Sequence, residues 1–120
     1  MIPQTGKTPQ KLQRLKSSTE FRNVLDSDLR IKSKDYLIIV KKNSLGYPRL
    51  GLVVSRKTER SSVRRNRIKR ILREVFRNNN DLFNSFDTII IVKKVNDNAN
   101  YNETKDELQR YLSRHLNNSN

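Results

Sequence analysis

The chain has no cysteine and no tryptophan, and only three glycines, three prolines and one histidine among its 120 residues. Each scarcity removes a class of chemistry. Without cysteine there is no disulfide framework, no thiolate metal centre and no sulfur nucleophile, and a reducing cytoplasm suits such a chain. Three glycines do not supply a glycine-rich phosphate loop. The one histidine, His115, cannot build a histidine metal cluster and sits where a last helix is expected, as a structural residue. No acid pair stands among apolar neighbours in a recognisable pattern, so neither a catalytic residue nor a protein-borne metal ligand is expected. No apolar run approaches the ~18 residues of a membrane helix, and the polar N-terminus has no apolar signal stretch. Neither secretion nor membrane spanning is therefore expected.

Negative charge is scarce as well. Lysine and arginine number 26 against 12 aspartates and glutamates, for a net charge of +14, and only 33% of residues are hydrophobic. That balance is the electrostatic footprint of a nucleic-acid binder built as one domain with a modest core. The excess is concentrated: residues 56–77 hold ten basic residues and two acids, whereas residues 78–120 carry a net −1.

Within the basic stretch, Ile68, Ile71, Leu72, Val75 and Phe76 recur at the interval of one helical face and predict an amphipathic helix. Asn66, Arg70, Arg73 and Arg77 fall on the opposite face, with Arg67 and Lys69 flanking them. Arg65 lies near the edge of the apolar stripe, where its head group must pass the end of the helix and meet a partner. Ser61 or Ser62 can cap that end. A solvated helix face normally mixes charge signs; here like charges stand at i,i+4, each pair costing a few tenths of a kcal/mol. Arginine dominance points to phosphate, which its planar fork grips in two places.

Residues 1–16 hold two prolines, one glycine and four basic residues and read as a flexible basic arm. Residues 17–116 read as a single RNA-binding domain and 117–120 as a disordered tail. Ser17 to Glu20 resembles a capping box before a short helix carrying Phe21, Val24 and Leu25. Residues 36–40 and 50–55 are apolar and β-branched, separated by a Gly46-Tyr47-Pro48 turn, and read as a hairpin. The apolar run 88–92 predicts a strand covered on both faces. Asn100 and Glu103 pair as a helix start, and Leu108, Tyr111, Leu112 and His115 share one face of the last helix. The expected fold is α+β, a single-domain two-layer sandwich in the order α-β-β-(β)-α-β-α. A parallel crossover in it would by default be right-handed.

The stretch Leu50-Gly51-Leu52-Val53-Val54-Ser55-Arg56-Lys57, followed by Arg65-Asn66-Arg67-Ile68-Lys69-Arg70 and Arg73-Glu74, closely resembles the bacterial ribonuclease P protein subunit. Phe21, Tyr36, Asp87 and Tyr101-Asn102-Glu103 extend the resemblance over about residues 12–116. It implies a non-catalytic protein component of an endoribonuclease holoenzyme whose RNA subunit removes the 5′ leader from precursor tRNA, and a left-handed βαβ crossover. By resemblance, Arg65, Asn66, Arg67, Lys69, Arg70 and Arg73 would contact the catalytic RNA. Phe21 and Tyr36, with Ser55, Arg56 and Lys57 along the rim, would hold the single-stranded leader. Aromatic platforms beside a basic groove suit that task, although the spacing of Phe21, Val24 and Leu25 equally fits core packing. Mg²⁺ would be bound mainly by the RNA, and neither a membrane nor an obligate protein partner is expected. Two alternatives remain at this level: a ribosomal or other structured-RNA-binding protein, and a DNA-binding module. The second is disfavoured because the apolar stripe docks the basic helix on a sheet.

Overall fold

Ser17 begins the first helix as its spacing from Glu20 predicts: its hydroxyl accepts from the Glu20 amide at 3.1 Å while the Glu20 carboxylate accepts from the Ser17 amide at 3.2 Å. In the computed structural model, which describes residues 13–83, 85–96 and 100–117, eight elements follow one another. They are α1 (Ser18–Leu25), β1 (Leu29–Lys32), β2 (Tyr36–Lys42), β3 (Arg49–Val53), α2 (Ser62–Asn78), the single turn α3 (Asn80–Phe83), β4 (Phe86–Val92) and α4 (Tyr101–Asn117). Ser61 caps α2, accepting from the Arg64 amide, and Asn100 caps α4, accepting from the Glu103 amide. Gly46 turns the chain between β2 and β3 at φ +84°, a backbone region that side chains disfavour.

The sheet order is β1-β2-β4-β3, antiparallel between β1 and β2 and between β2 and β4, parallel between β4 and β3. The expected α+β class holds, and β1 is the additional strand. The hairpin expected from residues 36–40 and 50–55 does not form, because β4 lies between the two strands. Its burial explains the insertion: Asp87 to Ile90 and Val92 are all buried, so a strand apolar on both sides takes an interior place and sends β3 to the edge.

Side chains alternate across this sheet into two unequal clusters. On one face Ile31, Tyr36, Ile38, Val40, Leu50, Ile90 and Val92 pack against Leu72, Val75 and Phe76 of α2, Phe83 of α3, and Leu108 and Leu112 of α4. On the other, Ile39 and Ile89 meet Val24 of α1 and Leu15, with Phe21, Leu37, Val53 and Ile91 only partly covered. The sandwich thus has an incomplete third layer. Residues 1–12 of the expected basic arm lie outside the described residues. Its last four residues, 13–16, are already packed: Leu50 donates to the Gln13 carbonyl at 3.0 Å and Leu15 to the Leu50 carbonyl at 3.1 Å, laying this segment along the open edge of β3. Of the expected tail, residues 118–120 are outside the described residues, and Asn117 closes α4.

One polar network ties these pieces together. Arg49 donates to both oxygens of Asp87, at 2.9 and 2.7 Å, and to Glu20 at 2.8 Å, while Asn43 donates to Asp87 at 2.8 Å. It joins the start of β3 to its parallel neighbour β4, to α1 and to the β2–β3 connection. Burial by itself would raise the Asp87 pKa, but the Arg49 and Asn43 hydrogen bonds outweigh it and hold the carboxyl below its ordinary value.

Replacing Arg49 with alanine strands a mostly buried carboxylate. The loss expected is about 2 to 4 kcal/mol, less than a fully buried pair because the arginine remains partly solvated. Because the folded-state pKa of Asp87 is depressed, that advantage of wild type is complete above the ordinary carboxylate range near ~4 and fades as pH falls below it. Urea unfolding of both proteins at pH 7 and pH 3 checks it, and equal midpoints at pH 7 refute it.

Candidate nucleic-acid interface

The cationic face of α2 follows from how its apolar face is anchored. Leu72, Val75 and Phe76 are at most 1% exposed, and burying three such side chains contributes roughly 5 to 9 kcal/mol. Against that, the like-charge pairs along the helix cost only tenths of a kcal/mol each. The stripe therefore decides the orientation, and Asn66, Arg67 and Arg70 come out exposed while Lys69 and Arg73 are partly buried.

Intramolecular carboxylates answer part of this face. Arg64 meets Glu59 at 3.2 Å and Arg77 meets Glu74 at 3.6 Å. No described carboxylate pairs with Lys69, Arg70 or Arg73. Arg65 does curl past the helix start as its position demands, and its partner is backbone: one terminal nitrogen donates to the Glu59 and Arg60 carbonyls, both at 2.9 Å. Part of its guanidinium thus closes the turn before α2. Its remaining nitrogens bond no described residue.

Arg73 faces another cation. Burial, and then the nearby Arg14, lower its pKa from the ordinary arginine value. Arg14 sits beside Leu50 in the segment laid along β3. A cavity of about 160 Å³ opens there, lined by Arg14, Phe21, Gly51, Lys69 and Arg73 among others. The groove joins two sets of residues that the sequence assigns to different RNAs, Phe21 on one side and Lys69 with Arg73 on the other. Arg14 is the member that motif reading overlooked; its only signal was an apolar Leu15 amid basic residues.

Phe21 packs over Gly51 of β3. A Cβ at residue 51 would stand 2.5 Å from the tip of the Phe21 ring, so the glycine there makes room for the aromatic platform. Tyr36 is not beside it. Strand alternation places Tyr36 with Ile38 and Val40 on the α2 and α4 side, 6% exposed, whereas Leu37 and Ile39 share the face of Phe21. Burial pushes the Tyr36 hydroxyl up to about 12, partly offset by its hydrogen bond with Thr104. The expected Phe21 and Tyr36 pair is thus split by the thickness of the sheet, and Leu37, Val53 and Ile91 stand where the second aromatic was expected. Arg56 and Lys57 are exposed just beyond β3 without an ion pair to any described residue. The Ser55 hydroxyl is engaged in its own turn, accepting from the Thr58 amide at 3.1 Å and lying 3.0 Å from the Thr58 hydroxyl.

Among the described residues, no group of three His, Cys, Asp or Glu comes together as a metal site. The arrangement can do one thing well: hold a phosphate chain along the β3 edge and lay a base on the adjoining apolar face.

Comparison with known proteins fits that chemistry. The family described as Ribonuclease P matches residues 10–116. The ribonuclease P protein component of Pseudomonas aeruginosa strain LESB58 is 38% identical over 82 residues, which cover 68% of this chain and 61% of that protein. That of Pseudomonas putida strain KT2440 is 39% identical over 82 residues, 68% of this chain and 62% of the relative. The match thus spans about three fifths of these relatives. Among solved structures, the RNase P protein from Thermotoga maritima aligns with a TM-score of 0.75 at 28% identity, covering 85% of this chain and 96% of that one. The RNase P protein from Staphylococcus aureus aligns at 0.74 and 24% identity, over 87% and 95%, sharing the fold.

Replacing Lys69 and Arg73 together with alanine is expected to lower the slope of log affinity for folded RNA against log salt by about two units, one per lost phosphate contact. A filter-binding series across salt concentrations measures the slope, and an unchanged value argues against contact.

Proposed function

The chain belongs to the ribonuclease P protein family, and from that membership we propose that it is the protein subunit of ribonuclease P. In this reading it binds the catalytic RNA through the exposed face of α2. It binds the single-stranded 5′ leader of precursor tRNA on the Phe21 side of the sheet, assisting endonucleolytic removal of the leader. The observation that carries the reading is the β3-edge groove, where Arg14, Lys69 and Arg73 converge with Phe21 and meet no described carboxylate. A phosphate backbone entering there offsets the repulsion between Arg14 and Arg73, and an unstacked base reaches the Phe21 ring and the partly open Leu37, Val53 and Ile91.

Bond cleavage is assigned to the RNA. Mg²⁺ in this proposal would be held mainly by RNA phosphates and would supply activation of the attacking water there; this chain's residues position the leader and reduce the charge repulsion between two polyanions. No helix among the described residues is long and apolar enough to cross a membrane, and the site of action proposed is the cytoplasm. The β3–α2–β4 connection is proposed to be left-handed, following the family resemblance.

Reconstitution with the cognate RNA at low Mg²⁺ tests the reading: the chain is expected to stimulate leader removal, and no stimulation would reject it. Phe21→Ala is expected to cut the preference for precursor over mature tRNA by about 1 to 3 kcal/mol, the worth of one stacked base. Tyr36→Phe, altered only on the far face, is expected to leave that preference unchanged. Equal binding losses for both tRNAs in the Phe21 variant would remove the leader assignment.

A further inference from the structure

A second cavity, of about 220 Å³, lies on the other side of the sheet from Phe21, between the start of α2, the start of α4 and the chain leaving β4. Tyr36 and Val92, directly paired across β2 and β4, contribute to it. Ile68, Ile71 and Val95 add further apolar lining, and Asp35, Lys94 and Thr104 supply polar groups. Arg64 and Arg67 of α2 also border it, so it opens beside the cationic helix.

Asp35 is the unusual member. It is 5% exposed, and its backbone is locked: its amide donates to Glu107 at 3.0 Å and its carbonyl accepts from the Lys93 and Lys94 amides at 2.8 and 3.2 Å. Its carboxylate, however, makes no hydrogen bond or ion pair with any described residue. Asp35 lines the cavity, so a guest with N–H groups would find a carboxylate acceptor there.

The surroundings select among guests. Lys94 already brings a positive charge beside Asp35, so a neutral molecule carrying both donors and an acceptor suits the site better than a cation. The apolar lining suits a flat ring. Among the RNA bases only guanine presents two adjacent N–H donors, at N1 and N2, to the two oxygens of one carboxylate, with a carbonyl acceptor beside them for an ammonium. Adenine and cytosine place a lone pair next to their single amino group on that edge, and uracil has one N–H flanked by two carbonyls. RNA is commonly read through unpaired bases swung out of the helix and bonded along this edge.

We propose that the cavity between α2 and α4 receives one unpaired guanine from the RNA bound by α2, with its Watson–Crick edge on Asp35 and its O6 toward Lys94. The proposal rests on the reading that α2 binds the catalytic RNA, and it adds a base-specific contact to a phosphate-binding face.

Kethoxal, which reacts with guanine at N1 and N2, tests it on the full chain assembled with the cognate RNA. A guanine reactive in free RNA is expected to become protected in the complex and to regain reactivity with Asp35→Asn, with affinity falling about tenfold. Val95→Trp, which obstructs the cavity and leaves Asp35 in place, is expected to expose the same guanine; thermal melts establish that both variants fold. Tight binding with no guanine whose protection depends on Asp35 overturns this site alone. Failure of the wild-type chain to bind the RNA overturns the subunit reading and the site with it.

Discussion

The cationic surface of this molecule follows from the burial of one helical stripe. Leu72, Val75 and Phe76 go into the core because they contribute kilocalories where the repulsion among neighbouring arginines costs tenths. Once that face is spent on the sheet, the remaining faces of α2 must be cationic. A net charge of +14 on 120 residues thereby becomes a directed surface. With few carboxylates on hand to answer it, the surface is suited to an external polyanion.

The sheet divides the labour. Its α2 and α4 side is closed by three helices and carries the larger core; its α1 side is covered only by one short helix and the segment 13–16, leaving Leu37, Val53 and Ile91 partly open. Arg49 clamps the second arrangement in place by bridging Asp87 of β4 and Glu20 of α1. That clamp positions α1, and α1 positions Phe21 over Gly51. A partly buried ion network thus sets the geometry of the aromatic platform that directly follows Glu20.

Much of the local structure was legible in the residues. Ser17 with Glu20, Ser61 and Asn100 each mark a helix start that the structure has, because a cap depends on residues within one turn of each other. The amphipathic reading of α2 holds for the same reason, and the interior place of the 88–92 run follows from its continuous apolar character. The pairing of strands was less legible. The turn around Gly46 looks like a hairpin connection, yet β4 separates the strands it joins. Tyr36 shows the limit most clearly. In the run Tyr36-Leu37-Ile38-Ile39-Val40 every position is apolar, so no alternation reveals which residues face α1 and which face α4.

By itself the sequence determined the one-domain α+β class, the helix starts, and the concentration of arginine on a single helix, since all of these depend on composition or on intervals of three or four residues. Only the tertiary structure decided which face of the sheet Phe21 and Tyr36 occupy, that Arg14 joins Lys69 and Arg73, and that the Asp35 carboxylate ends beside a cavity with no donor among the described residues. Those arrangements depend on the parity of strands apolar on both sides and on contacts between residues more than fifty positions apart, and neither leaves a periodic mark in the chain.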